Sequence, residues 1–308
     1  MKRKRIIQIV TLALAVTTIA TTAFATSVKR EGYDMFKKSF KSMRTMKITS
    51  NGTMNVTLDV EDNGVNIVNI DGKVKADHEA KKMSGAFKVG VQNVTKDIEI
   101  YANDKEKIIV DATENKYYKI NEPTHYRLDE LEHRGMKHEF MGEMTVQQEA
   151  FLDYFIGGYK DNFEFITKED GNKVISFNLN EEEIPVPINL LISAAASAEQ
   201  KNRTQIEVRG SEFKCLPLFE ELIEVNDLPN LIEDIKVKGL GLNLTLNEES
   251  QMIATSFNIK IEGKDEQGIN HEMVVKGSIE INDIDETVVN TINLLDKEVT
   301  VIKCQTNK

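Results

Sequence analysis

The sequence predicts an α+β protein: one wide, strongly curved antiparallel sheet, a half-barrel, wrapped over a few α-helices. Three observations carry this expectation. Several segments alternate strictly between apolar and polar residues, which puts one face of a strand on a core and the other in water. These segments are joined by Asn-Gly and Asp-Gly pairs that favour tight hairpins. Only about four segments have helical spacing, and they must cover the apolar side of all those strands.

The elements follow in order. Val28 to Thr45 reads as a helix, because Tyr33, Phe36, Phe40 and Met43 fall on one stripe. Met54, Val56, Leu58 and Val60 then alternate with Thr53, Asn55, Thr57 and Asp59, a half-buried strand. Asp62-Asn63-Gly64 is a hairpin turn, and Val65 to Val74 is the returning strand, with a further turn or bulge expected at Asp71-Gly72. Short strands are expected at Met83 to Val91, Asp97 to Tyr101, Lys107 to Asp111 and Lys116 to Ile120. Residues Asn121 to Lys160 lose the alternation, and Thr145-Val146-Gln147-Gln148 resembles a capping box opening a helix that stops at Gly157-Gly158. Strands return at Phe163 to Thr167 and Lys173 to Leu179 around Asp170-Gly171. Pro185 and Pro187 favour a helix start, with Ile188, Leu191, Ile192 and Ala195 as its buried stripe. Thr204 to Lys214 reads as a strand and Leu218 to Ile223 as a short helix. The last third alternates again, at Leu240 to Leu246 and Phe257 to Ile261, and His271 to Ile281 follows the turn Asp265 to Gly268.

The N-terminus has the three-part layout of a secretory signal. Met1-Lys2-Arg3-Lys4-Arg5 is positive, Ile6 to Ala25 carries no charge, and Ala23-Phe24-Ala25 offers small residues to a peptidase. Cleavage is expected after Ala25, leaving residues 26–308 as a single exported domain, since no Pro- or Gly/Ser-rich linker divides them. The alternative is an uncleaved anchor, the only way this chain is expected to meet a membrane. Either way residues 26 onward are expected outside the cytoplasm, secreted or in the cell envelope. There Cys215 and Cys304 have the option of one disulfide.

Composition excludes several functions. A net charge of −11 and clustered acids argue against nucleic acid as a partner, because phosphate neutralisation needs clustered Lys and Arg. Three His-Glu pairs, at His78, His138 and His271, lack a second histidine four residues on, so none is a zinc-peptidase helix. His125, His133 and His138 stand near several glutamates at spacings that match no usual metal set. Ser211-Glu212-Phe213-Lys214 matches Ser-x-x-Lys, but the companion motifs of that serine chemistry are missing. No enzyme activity, cofactor or metal is expected.

A helix after the signal followed by a run of hairpins resembles the half-barrel lipoprotein-carrier superfamily, which includes outer-membrane lipoprotein carriers and mycobacterial glycolipid-carrying lipoproteins. It also looks like exported proteins of Clostridium-like bacteria. The residues that carry this are Ile175 to Leu179 leading to Glu183-Ile184-Pro185 and the 188–198 helix. Leu242 to Leu246, Phe257 to Gly263 and Ile279 to Asp283 complete the pattern. The resemblance implies an apolar ligand, such as a lipid, held between sheet and helices, with Tyr33, Phe36 and Phe40 lining the cavity. The chain departs from lipidated members in having no cysteine near the signal junction. The second reading is a cell-surface or spore-envelope interaction module with a filled core and no ligand.

Overall fold

The computed structural model describes residues 35, 51–77, 79–120, 162–184, 186, 216–224 and 229–302. Twelve strands form one sheet. They are β1 (Gly52–Asp62), β2 (Val65–Asp77), β3 (Lys82–Val91), β4 (Val94–Ala102), β5 (Lys107–Asp111) and β6 (Lys116–Ile120). β7 (Phe163–Thr167) and β8 (Lys173–Asn180) precede the seven-residue helix α1 (Leu218–Glu224). β9 (Glu233–Leu246), β10 (Met252–Lys264), β11 (Asn270–Asn282) and β12 (Val299–Ile302) complete it. The spatial order is β12-β6-β5-β4-β3-β2-β1-β11-β10-β9-β8-β7. Every pairing is antiparallel except β12 on β6.

This architecture corrects the expected α+β half-barrel wrapped over several helices. The described residues form an open sheet that is nearly all β, and α1 is the single α-helix element among them. The physical reason lies in the register. Apolar side chains align row by row across neighbouring strands, so hairpins alone extend the sheet and much of its apolar face is sealed within two clusters. One row runs Leu179, Leu240, Ile259, Val275, Val60, Val68 and Val91 across seven strands. The helices expected over 28–45, 145–157 and 185–198 and the strand over 204–214 lie outside the described residues. Met35 and Val186 are exceptions, each at a helical position.

The hairpin turns were readable from sequence. Asn63 and Gly64 both have positive φ, 49° and 80°, as a two-residue turn in a right-twisted hairpin requires. Asp71-Gly72, in contrast, is neither turn nor bulge; β2 runs straight through it, and the register shift falls at Val60/Glu61. Gly72 is needed because the Phe87 ring of β3 lies across it. A Cβ there would stand 2.3 Å from the ring. The same ring also covers Gly85.

Two clusters of buried apolar side chains make the core. The larger spans β7–β11 and β1–β3 and contains Phe163, Phe177, Leu242 and Ile261. The smaller gathers Ile98, Ile109, Tyr118 and Ile120 under Leu216 and Leu218. Phe219 of α1 and Val89 of β3 touch both, so α1 joins the two cores.

The C-terminal stretch between β11 and β12 forms a strap over the other, polar face. Asp285 N–H donates to the Asn51 carbonyl at 2.7 Å, and Thr287 and Thr53 hydroxyls meet at 2.9 Å. Asn290 N–H donates to Ser84 Oγ at 3.0 Å, and Lys297 Nζ stands 5.1 Å from the Tyr117 ring centre. Thr53, Lys75 and Ser84 are register partners, so the strap follows one row across the strands before β12 pairs with β6. This explains why Thr53 and Ser84, both polar, are buried.

Candidate functional site

The candidate site is the part of the apolar face that the core leaves half-buried. On β11, β1, β2 and β3 two adjacent rows meet in register: Ile281, Met54 and Val74 in one, Ile279, Val56, Gly72 and Phe87 in the next. The side chains of both rows are half-buried, whereas the row through Val275, Val60, Val68 and Val91 is sealed. Four strands at about 4.8 Å spacing give this patch a width on the order of 14 Å.

Glycines shape its floor. Phe87 lies flat over Gly72 and Gly85, and Phe257 of β10 lies over Gly277 of β11, where a Cβ would fall 2.5 Å from the ring. Glycine costs strand stability, and an aromatic ring laid across it restores apolar cover without height. The result is a low apolar surface flanked by taller side chains such as Leu58 and Ile70. Adding even one methyl to an occupied site of this kind forces a shift.

One charged cluster interrupts the apolar face. Lys96 of β4 sits on the apolar stripe between Val94 and Ile98, with its side chain only 4% exposed. Its Nζ donates to Asp111 Oδ2 at 3.3 Å, to Glu114, and to Glu221 of α1 at 2.9 Å. Burial alone pushes an ammonium pKa down; here the hydrogen bonds to Glu114, Glu221 and Asp111 outweigh it and hold Lys96 above the usual lysine value. Asp111 is buried as well, and its Oδ1 accepts the Glu114 N–H at 3.0 Å. The cluster pins α1 to the sheet and surrounds the Lys96 ammonium with carboxylates.

Glu114 supplies a pH signature. Hydrogen bonds from Lys116 and Lys96 lower its carboxyl from 4.5 to about 2. A carboxylate with a depressed folded pKa adds stability that is present above its unfolded value and lost as pH falls through the folded one. Stability is therefore expected to drop between about pH 4.5 and pH 2, and Glu114→Gln is expected to flatten that drop. Urea unfolding across this range checks it.

The residues picked out from sequence fare unevenly. Tyr33, Phe36 and Phe40 lie outside the described residues. Met35, within the same segment, is described, and it packs against the larger cluster. Ala25, Cys215 and Cys304 also lie outside, as do His78, His125, His133 and His138. His271 is described: Nδ1 stands 2.9 Å from Asp62 and Nε2 3.5 Å from Asp265, which ties two hairpin tips together. Among the described residues no group of three or more His, Cys, Asp or Glu is placed to hold a metal ion. No helix among them is long and apolar enough to cross a membrane.

No family model matches the chain, and no curated protein matches it by sequence. Solved structures with partial likeness include an uncharacterized conserved protein from Thermus thermophilus. It is 8% identical, covers 88% of this chain and 97% of its own, and has a TM-score of 0.24. A LolA superfamily protein from Nitrosomonas europaea is 7% identical over 83% of this chain and 93% of its own, with a TM-score of 0.21. A β-barrel-like protein of unknown function from Brucella abortus is 10% identical over 76% of this chain and 98% of its own, with a TM-score of 0.19. Nothing in these comparisons supports the narrower likeness to exported proteins of Clostridium-like bacteria. At such TM-scores they carry no functional argument, which rests instead on the chain's own side chains.

Proposed function

We propose that the half-buried apolar patch on β11, β1, β2 and β3 binds an apolar ligand, a lipid acyl chain in chemical class, and that the chain is a non-catalytic binding protein acting outside the cytoplasm. The observation that carries this reading is the contrast between rows of the same face. The row through Val60 and Val68 is sealed, while the rows through Met54 and Val56 stay half-buried on a floor lowered by Gly72, Gly85 and Gly277. An apolar surface of this kind gains free energy from each CH₂ it takes out of water, about 0.8 kcal/mol. Lys96 is already surrounded by carboxylates, which favours ligands whose buried part is neutral. The test is solvent extraction of the purified chain, wild type and Val56→Lys, with mass spectrometry of the extract.

The interaction-module reading is favoured by a different observation. Val288 and Leu295 on the strap are 77% and 74% exposed. An extract free of apolar molecules from the wild-type chain is the outcome that selects it.

A Cys215–Cys304 bridge belongs to the same proposal of an exported chain. Leu216, next to Cys215, is part of the smaller cluster, and Ile302, two residues before Cys304, packs against that cluster. The oxidised protein is expected to be lighter than the reduced one by two hydrogens in intact mass. Closing so long a loop contributes about 4 kcal/mol in the chain-entropy model.

A further inference from the structure

The polar face of the sheet carries a groove of about 570 Å³ that crosses β8, β9, β10, β11 and β1. Two rows of register partners build it. One runs Asn178, Gly241, Asn258 and Lys276; the other runs Asn243, Ser256, Ser278 and Thr57. Asn and Gly are among the poorest strand residues, yet three Asn and one Gly stand together in strand interiors here. Gly241 is not explained by a bulge, since the nearest register shift lies between Gly239 and Val237. What it does is admit the Asn178 amide, whose Oδ1 would sit 3.0 Å from a Cβ at that position. A side chain in place of Gly241 would crowd the Asn178 amide out of this position.

The groove's chemistry is neutral and rich in both donors and acceptors. Thr57 and Ser278 hydroxyls meet at 2.7 Å, and Asn243 Nδ2 donates to Ser256 Oγ at 3.3 Å, so neighbours orient these groups. The two lysines at its margin are matched by acids: Lys276 donates to Glu61 at 2.7 Å, and Lys260 stands 2.9 Å from Glu272. The face of a sheet offers side chains only; an extended peptide instead pairs along an edge. Hydroxyl and amide groups recur at the strand spacing, about 4.8 Å, comparable to the length of one sugar ring. We propose that this groove binds a neutral oligosaccharide laid across the strands, its hydroxyls exchanging hydrogen bonds with Asn178, Asn243, Asn258, Ser256 and Thr57.

The site lies on the face opposite the apolar patch, so it stands or falls independently of lipid binding. The test is calorimetric titration of the full chain with cellopentaose and chitopentaose, with pentagalacturonate as the anionic comparison. Binding of at least one neutral pentasaccharide is expected, together with weakening by about tenfold or more in Asn258→Ala and in Gly241→Val. Asn258 is exposed, so that variant keeps its thermal midpoint and remains informative if Gly241→Val fails to fold. Three results would overturn the proposal. They are no binding of either neutral sugar up to about 1 mM, equal binding in Asn258→Ala, or stronger binding of pentagalacturonate.

Discussion

Lys96→Ala is expected to destabilise the chain by roughly 3–5 kcal/mol, the cost of leaving a buried charge without its partner. That cost concentrates on one residue. Glu221 is 60% exposed and returns to water, and Glu114 keeps Lys116. Among the described residues Asp111, 1% exposed, keeps the Glu114 amide but loses its ion pair within 4 Å. The double variant Lys96→Met, Asp111→Leu is expected to recover most of the loss, because well-packed apolar residues often replace a buried ion pair without penalty. Urea unfolding of both variants measures this. A loss below about 1 kcal/mol in the single variant would mean the pair behaves like a solvated surface contact.

Phe177→Ala is expected to cost a similar 3–5 kcal/mol by removing a buried aromatic ring and leaving a cavity. Phe177 is 1% exposed, stands opposite Leu242 of β9, and its ring centre lies 4.6 Å from that of Phe163 at an interplanar angle of 41°. It therefore couples the β7–β8 hairpin to the rest of the sheet. Ile166 on the same hairpin is 56% exposed, and Ile166→Ala is expected to change stability by less than about 0.5 kcal/mol. The contrast between the two variants, read from denaturant midpoints, checks that the larger core reaches the β7 end of the sheet.

Local patterns were legible in the sequence because local physics controls them. Alternation set the faces of β1 and β9, and the turns at Asn63-Gly64, Asp170-Gly171 and Asp265 to Gly268 follow from residues that tolerate positive φ. What escaped was non-local. Gly72 reads as a turn in isolation; only the Phe87 ring arriving from β3 makes it a strand residue. Lys96 falls on the period-2 stripe Val94, Ile98 and Ile100, but a lysine there looks like the start of a loop until Asp111, Glu114 and Glu221 arrive from other elements. β12 is four residues long and parallel to β6, and its signal is too short to stand out. The overestimate of helix cover came from assuming that an apolar sheet face needs helices along its whole length. Among the described residues one short helix lies on that face, and the apolar rows pack into two clusters.

The apolar patch of the candidate site was half-legible. Met54, Val56 and Leu58 were assigned to the inner face from alternation alone. Their pairing with Ile281, Ile279 and Val74, and the Phe87 ring that reaches the patch across Gly72, depend on strand order β3-β2-β1-β11. No local window of sequence contains that information.

An apolar molecule is expected to occupy the patch around Val56. The measurement is native mass spectrometry of the full chain, wild type and Val56→Lys, after incubation with oleate and with dioleoylphosphatidylcholine. A stoichiometric adduct with at least one of them is expected on the wild-type chain. That adduct is expected to be lost in Val56→Lys, whose charge cannot be buried against an acyl chain without a large desolvation cost. A wild-type chain that carries neither lipid, or a variant that keeps the adduct undiminished, would contradict it.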